Sequence, residues 1–130
     1  MCTKIIELYP METFGEMSDL KQNELRRLFY QLGITAKYVG FDYLSYAIRL
    51  AVNQPERLFL VTKRLYPDVA KHFRTSWQTV ERGMRFAINV MWCTQQEELR
   101  AITQCDIQKR PTIVQFIELI ITSLYPNPAA

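Results

Sequence analysis

Residues 66–86 read YPDVAKHFRTSWQTVERGMRF, and they contain two helical patterns separated by Arg74 and Thr75. Pro67 suits the first turn of the first helix, because a helix leaves its first N–H groups without partners in any case. Thr75 can cap the second helix, and Gln78 three residues later would complete a capping box. The stretch therefore predicts two short helices joined by a tight turn.

The second of these helices carries two separate stripes at helical spacing. The apolar stripe, which predicts the buried face, consists of Val80, Met84, Ala87, Ile88 and Met91. The polar stripe, which predicts an exposed face, consists of Gln78, Glu81, Arg82 and Arg85. Gly83 lies in mid-helix, where glycine costs about 1 kcal/mol relative to alanine, so close packing against a neighbouring helix is expected there.

Two such helices have the layout of a helix-turn-helix, in which the second helix enters the major groove of DNA. Arginine binds guanine O6 and N7 through two hydrogen bonds, glutamate accepts from cytosine N4, and glutamine pairs with adenine. We therefore expect the polar stripe to read bases. Arg74 is unfavourable at the turn, because glycine or asparagine adopts a left-handed conformation more easily.

Basic residues are concentrated in and just before the same stretch. Residues 63–85 contain six Lys or Arg and two acidic residues, a net charge of +4, whereas the whole chain carries +3. Such local basic excess is typical of a surface that binds phosphate groups. The expected phosphate contacts are Lys63, Arg64, Lys71, Arg74, Thr75 and Ser76. The alternative is a helical bundle that binds other proteins, because any amphipathic helix has a polar face.

The rest of the chain is also helical in pattern, which predicts an all-α fold, a compact bundle of about six helices. The helical patterns cover 18–32, 42–53, 55–65, a short segment from Pro67, 76–93, 96–103 and a segment from Thr112, where Gln115 completes a capping box. We expect residues 18–130 to form one domain, and residues 1–17 to form an arm of uncertain structure.

Composition argues against several other classes of protein. His72 is the single histidine and no CxxC pair exists, so no metal site is expected. Glycine-rich nucleotide motifs and catalytic pairs are absent from the sequence, so neither a catalytic residue nor a cofactor is predicted, and an enzyme is disfavoured. Three widely separated cysteines favour reduced thiols. Without a long apolar run or signal peptide, the chain is expected in the cytoplasm, away from membranes.

Four segments, LGITAKYVGFDYLSYAI, VTKRLYPDVAKHF, VERGMRFAINVMW and KRPTIVQFI, resemble the effector domain of a known family in order and spacing. The family is that of the response regulator that initiates sporulation (stage-zero sporulation protein A), and the resemblance covers about residues 18–125. It implies a six-helix DNA-binding domain that regulates transcription and binds double-stranded DNA at short, often tandem, sites. Glu81 and Arg82 match base-contacting residues, and Arg85 matches a basic residue of the same helix.

Several positions depart from the family pattern. Thr79 lies where the family usually has another base-contacting arginine, which implies a different preferred site. The segment after Trp92 corresponds to the region that family members use to bind the RNA polymerase sigma factor, and here it is shorter. A receiver domain usually precedes the effector, and residues 1–17 are too few to form one. The resemblance therefore implies a receiver-less regulator that its own phosphorylation does not control, with self-association on tandem DNA sites.

Overall fold

The computed structural model describes residues 16–126, and within this range the chain forms six α-helices and no strand. The helices are α1 (Asp19–Gln31), α2 (Val39–Asn53), α3 (Tyr66–Phe73), α4 (Trp77–Thr94), α5 (Gln96–Thr103) and α6 (Ile113–Leu124). The predicted all-α class is therefore confirmed. Residues 1–15 of the predicted arm, and residues 127–130, lie outside the described residues. None of the described helices is long and apolar enough to span a membrane.

Two of the helices begin at the caps that the sequence predicts. The Ser18 hydroxyl oxygen accepts a hydrogen bond from the backbone N–H of Lys21 at the start of α1. At the start of α6, Thr112 and Gln115 form both bonds of a capping box. Each such cap stabilises its helix by about 1 kcal/mol, because it satisfies N–H groups that no carbonyl within the helix can reach. Gly33, with φ of 78°, follows the end of α1 as predicted.

The single helix predicted for residues 55–65 is wrong. Pro55–Phe59 form a 3₁₀ helix, and Val61–Leu65 form a π-helical turn that leads directly into α3. The break is at Leu60, whose φ of −125° and ψ of 54° are not helical. Leu58 and Leu65, seven residues apart in this range, are both buried. Apolar spacing predicts which side chains are buried. The 3₁₀ helix and the π-helical turn bury these two leucines as well as one continuous α-helix would.

The core lies around α2, which packs most extensively against α4 and also contacts α3 and α6. Its largest fully buried side chains include Phe29, Leu44, Ile48, Met84, Met91 and Phe116. The ring of Phe29 packs edge-on against Phe41 and stacks on Phe116, with centroid distances of 5.9 and 6.1 Å. Because α2 contacts both helices of the candidate DNA-binding pair, it fixes their position in the domain.

Two glycines allow α2 and α4 to approach closely. A Cβ atom added to Gly40 of α2 would overlap the carbonyl oxygen of Gly83 and lie 2.7 Å from Cβ of Ala87. A Cβ atom on Gly83 would lie 2.9 Å from two ring carbons of Tyr43. Close packing therefore explains the mid-helix Gly83, as predicted. The N-terminal turn of α2, which begins three residues earlier than the sequence predicts, contributes Gly40 to this contact.

Among the described residues, Cys105 differs from the expectation of reduced thiols. Cys93, at the end of α4, is free and exposed. Cys105 is disulfide-bonded, so the prediction is wrong for this residue. Wide separation along the sequence does not exclude a disulfide, because the bond requires Cα atoms within about 7 Å in space.

Candidate nucleic-acid interface

The turn between α3 and α4 has a left-handed residue at its start. Arg74 has φ of 56° and ψ of 48°. Its N–H donates to the carbonyl oxygen of Lys71, and the N–H of Thr75 donates to that of Ala70 at 2.9 Å. These bonds form a Schellman motif, which satisfies carbonyl groups at the end of α3. The sequence identifies Arg74 as unfavourable in this conformation, and the structure places it there.

The cap of α4 is Ser76 and not Thr75. The Ser76 hydroxyl oxygen accepts from the N–H of Thr79 at 3.2 Å, and it also forms a hydrogen bond with the Thr79 hydroxyl group. The predicted capping box of Thr75 and Gln78 is therefore wrong by one residue. Ser76 has the extended backbone that a cap requires, with φ of −91° and ψ of 155°. The Gln78 side chain is consequently free of a capping role and is exposed.

The two predicted faces of α4 are separate in the structure. The inward face is buried at all five predicted positions, which are Val80, Met84, Ala87, Ile88 and Met91. On the outward face Gln78, Arg82 and Arg85 are exposed, and Glu81 is half-buried. The side chain of Arg82 makes no hydrogen bond or ion pair with any residue in the range 16–126. Its guanidinium group is therefore available to a ligand on this side of α4.

Glu81 and Arg85 form an ion pair on the outward face. Nη2 of Arg85 lies 2.9 Å from Oε2 of Glu81, one helical turn away. Both charges act electrostatically on the hydroxyl group of Tyr66. Burial, together with the negative charge of Glu81, raises the pKa of Tyr66 to about 12, and the positive charge of Arg85 opposes this rise. Tyr66 therefore keeps its proton at neutral pH and can donate a hydrogen bond beside the ion pair.

The residues predicted to contact phosphate precede the first turn of α4. Lys63, Lys71, Arg74 and Ser76 are exposed, whereas Arg64 and Thr75 are half-buried. Nη2 of Arg64 donates to Oε1 of Gln54 at 3.1 Å, so this guanidinium group already has one partner. The Ser76 hydroxyl is used in the cap. Three exposed cations, Lys63, Lys71 and Arg74, thus remain in the segment that precedes α4.

The outward face of α4 extends beyond the predicted residues. Asn89 lies seven residues after Arg82, which is two helical turns, so it is on the same face. Its Oδ1 accepts a hydrogen bond from Nη1 of Arg110 at 2.6 Å. Helical spacing could have identified Asn89. Arg110 comes from the loop before α6, and no local pattern predicts its contact with a helix 21 residues away in sequence.

Comparison with known protein families is consistent with this arrangement. The family described as sporulation initiation factor Spo0A C terminal matches residues 25–124 of the chain. The matched region contains most of α1 and the whole of α2 to α6, and therefore both helices of the candidate interface. Domains of this family are DNA-binding effector domains of transcription regulators in sporulation. The chain therefore belongs to the family of sporulation initiation factor Spo0A C-terminal domains.

Proposed function

We propose that the chain is a sequence-specific transcription regulator that inserts α4 into the major groove of double-stranded DNA. The observation that carries this proposal is the separation of the two faces of α4. Five apolar side chains fix the helix to the core, and polar side chains cover the outward face. A helix with this arrangement can be held rigidly while its polar face contacts base edges.

The exposed side chains differ in how directly they can reach a base. Arg82 has no partner among the described residues, so its guanidinium group can form two hydrogen bonds with guanine. Gln78 lies one turn earlier on the same face and can pair with adenine. Glu81 and Arg85 already contact each other at 2.9 Å. We expect them to act together, with the carboxylate accepting from cytosine while Arg85 orients it or donates to the adjacent base.

Phosphate contacts would position the domain on the duplex. Lys63, Lys71 and Arg74 are exposed in the segment that precedes α4, and Arg74 lies in the turn two residues before the cap of α4. Arg64 would have to leave Gln54 to join them, and Thr75 and Ser76 would contribute as polar neighbours of the turn. Each phosphate that these residues neutralise releases about one counterion, so binding should weaken steeply with salt.

The decisive experiment is selection of bound sequences from a random DNA pool, followed by fluorescence anisotropy on the preferred site and on random DNA. Arg82→Ala should cost about 1–3 kcal/mol on the preferred site and relax discrimination at one or two base pairs. Lys71→Ala is the matched control, because it removes an exposed cation outside the outward face of α4. It should weaken binding to all sequences alike.

Two results would contradict the proposal. If the unmodified protein bound no DNA even at low salt, the function would be wrong, and a protein-binding bundle would replace it. If Arg82→Ala weakened preferred and random DNA equally, DNA binding would stand but Arg82 would not read bases.

The proposal extends to the two partners that the resemblance implies. Self-association would occur when two molecules occupy adjacent sites on one duplex, because the shared DNA raises their effective concentration. Selected sequences with two copies of one box at a fixed spacing would support this pairing. The RNA polymerase sigma factor would bind near α5, which follows Trp92 in the segment that corresponds to the family's sigma-binding region.

A further inference from the structure

A basic cleft lies between the second half of α4 and the loop that precedes α6. Its volume is about 210 Å³, and the residues that line it include Tyr66, Arg85, Asn89, Arg110 and Thr112. Among the described residues that line this cleft, two are arginines and none is acidic. None of Lys63, Lys71 and Arg74 lines the cleft, so the phosphate contacts discussed above do not include it.

Hydrogen-bond donors from three elements converge on the cleft. Arg110 is exposed and uses Nη1 to bind Asn89 at 2.6 Å, which leaves its other N–H groups available. Tyr66 contributes a protonated hydroxyl group from the start of α3. Arg85 is 57% exposed but is already paired with Glu81. Arg110 is therefore the principal cation, and a tetrahedral oxyanion is the ligand that these donors match.

The position of the cleft along α4 indicates where such an anion would come from. Thirteen residues separate the cap residue Ser76 from Asn89, which corresponds to about 20 Å along the helix axis. The major groove is about 12 Å wide, so a helical segment of this length that is inclined within the groove reaches from one phosphate backbone to the other. If Lys71 and Arg74 contact one strand near Ser76, the cleft at Asn89 is close to the backbone of the other strand.

We propose that this cleft binds a backbone phosphate of duplex DNA, on the opposite edge of the major groove from the α3–α4 turn. Arg110 makes the contact, and Asn89 is a positioning residue that orients the guanidinium group. This inference rests on the proposed DNA-binding function. It predicts that α4 is held by two sets of phosphate contacts, one at the α3–α4 turn and one at the cleft. The base-reading residues lie between these two sets.

The test uses two variants and one control, with binding measured by fluorescence anisotropy as a function of salt concentration. Arg110→Gln removes the cation. Asn89→Asp keeps the size of the side chain but pairs Arg110 with a carboxylate that repels phosphate. Each variant should lower the slope of log K against log [salt] by about 0.9, the value for one phosphate contact. Arg27→Gln is the control, because Arg27 is an exposed arginine of α1 that does not line the cleft.

Both variants should lose affinity equally on preferred and on random DNA, since a phosphate contact carries no sequence information. Thermal unfolding by circular dichroism checks that each variant is folded. If Arg110→Gln does not fold, Asn89→Asp alone provides the test. If the unmodified protein binds DNA and neither variant changes the slope beyond the control, the cleft proposal is wrong and the proposed function stands. Absence of DNA binding by the unmodified protein would overturn both.

Discussion

Replacement of Gly40 by alanine tests whether the contact between α2 and α4 determines the stability of the domain. The added Cβ would overlap the carbonyl oxygen of Gly83, and it would lie 2.7 Å from Cβ of Ala87. Neither atom can move without displacing the α4 backbone. Overpacking of this kind costs about 1–3 kcal/mol, and the better helix propensity of alanine returns less than about 1 kcal/mol. We expect a net loss of about 2 kcal/mol.

Gly83→Ala is the matched comparison, because it adds the same atom at the same helix crossing. Its Cβ would meet the ring edge of Tyr43 at 2.9 Å and Cγ1 of Val39 at 3.2 Å. Both neighbours are side chains and not backbone atoms, so the exposed Val39 can rotate away and the buried Tyr43 ring can shift without displacing either helix. The steric cost should therefore be smaller, and the mid-helix gain of about 1 kcal/mol should offset much of it.

Guanidinium chloride unfolding followed by circular dichroism measures both changes in the free energy of unfolding. The midpoint should fall clearly for Gly40→Ala and slightly for Gly83→Ala, with the denaturant slope unchanged. A corresponding loss of roughly 10 °C in Tm is expected for Gly40→Ala. The reasoning fails if Gly40→Ala is as stable as the unmodified protein, or if Gly83→Ala is the more damaging change.

Two further predictions concern Arg74 and Tyr66. Arg74→Gly should raise the free energy of unfolding by up to about 1 kcal/mol, because glycine removes the left-handed strain at φ of 56°, yet it should weaken DNA binding by loss of a cation. Equal or lower stability would contradict the strain argument. The pKa of Tyr66 is about 12 when folded and 10 when unfolded, so the unfolded state loses this proton first, and stability should fall as pH rises from 10 through 12. When the free energy of unfolding is measured across this pH range, Tyr66→Phe should make its decline with pH less steep. Tyr30→Phe, which changes a 52% exposed residue, is the control and should leave the decline unchanged. If the decline had the same slope in both variants, the assignment of this pH dependence to Tyr66 would be wrong.

Local patterns predicted those features of the site that depend on a single helix. The inward positions of α4 follow from apolar spacing alone, since a helix bound to a core by one face must bury residues three and four apart. The capping box of Thr112 and Gln115 was found because both residues act within one turn. Gly83 was recognised because its cost in mid-helix required a steric reason, which the approach of Gly40 supplies.

Features that depend on backbone conformation or on distant residues were predicted incorrectly or not at all. Thr75 and Ser76 are both good caps, and the backbone geometry of the turn chooses Ser76. The break at Leu60 changes no apolar position, so spacing could not detect it. The contact of Arg110 with Asn89 joins a loop to a helix, and only the tertiary fold brings the two together.

The separation of the two faces of α4 has a consequence for how the protein can evolve. Substitution of an exposed side chain away from caps and packing contacts usually changes stability by no more than about 0.5 kcal/mol. Gln78 and Arg82 are such positions, so a lineage could exchange them and acquire a new target sequence while the fold remains intact. Glu81 and Arg85 are coupled through their ion pair, so they should change together and more slowly. Divergence among relatives should therefore be fastest where the helix faces outward and slowest at Gly40, where even one added carbon atom would overlap the α4 backbone.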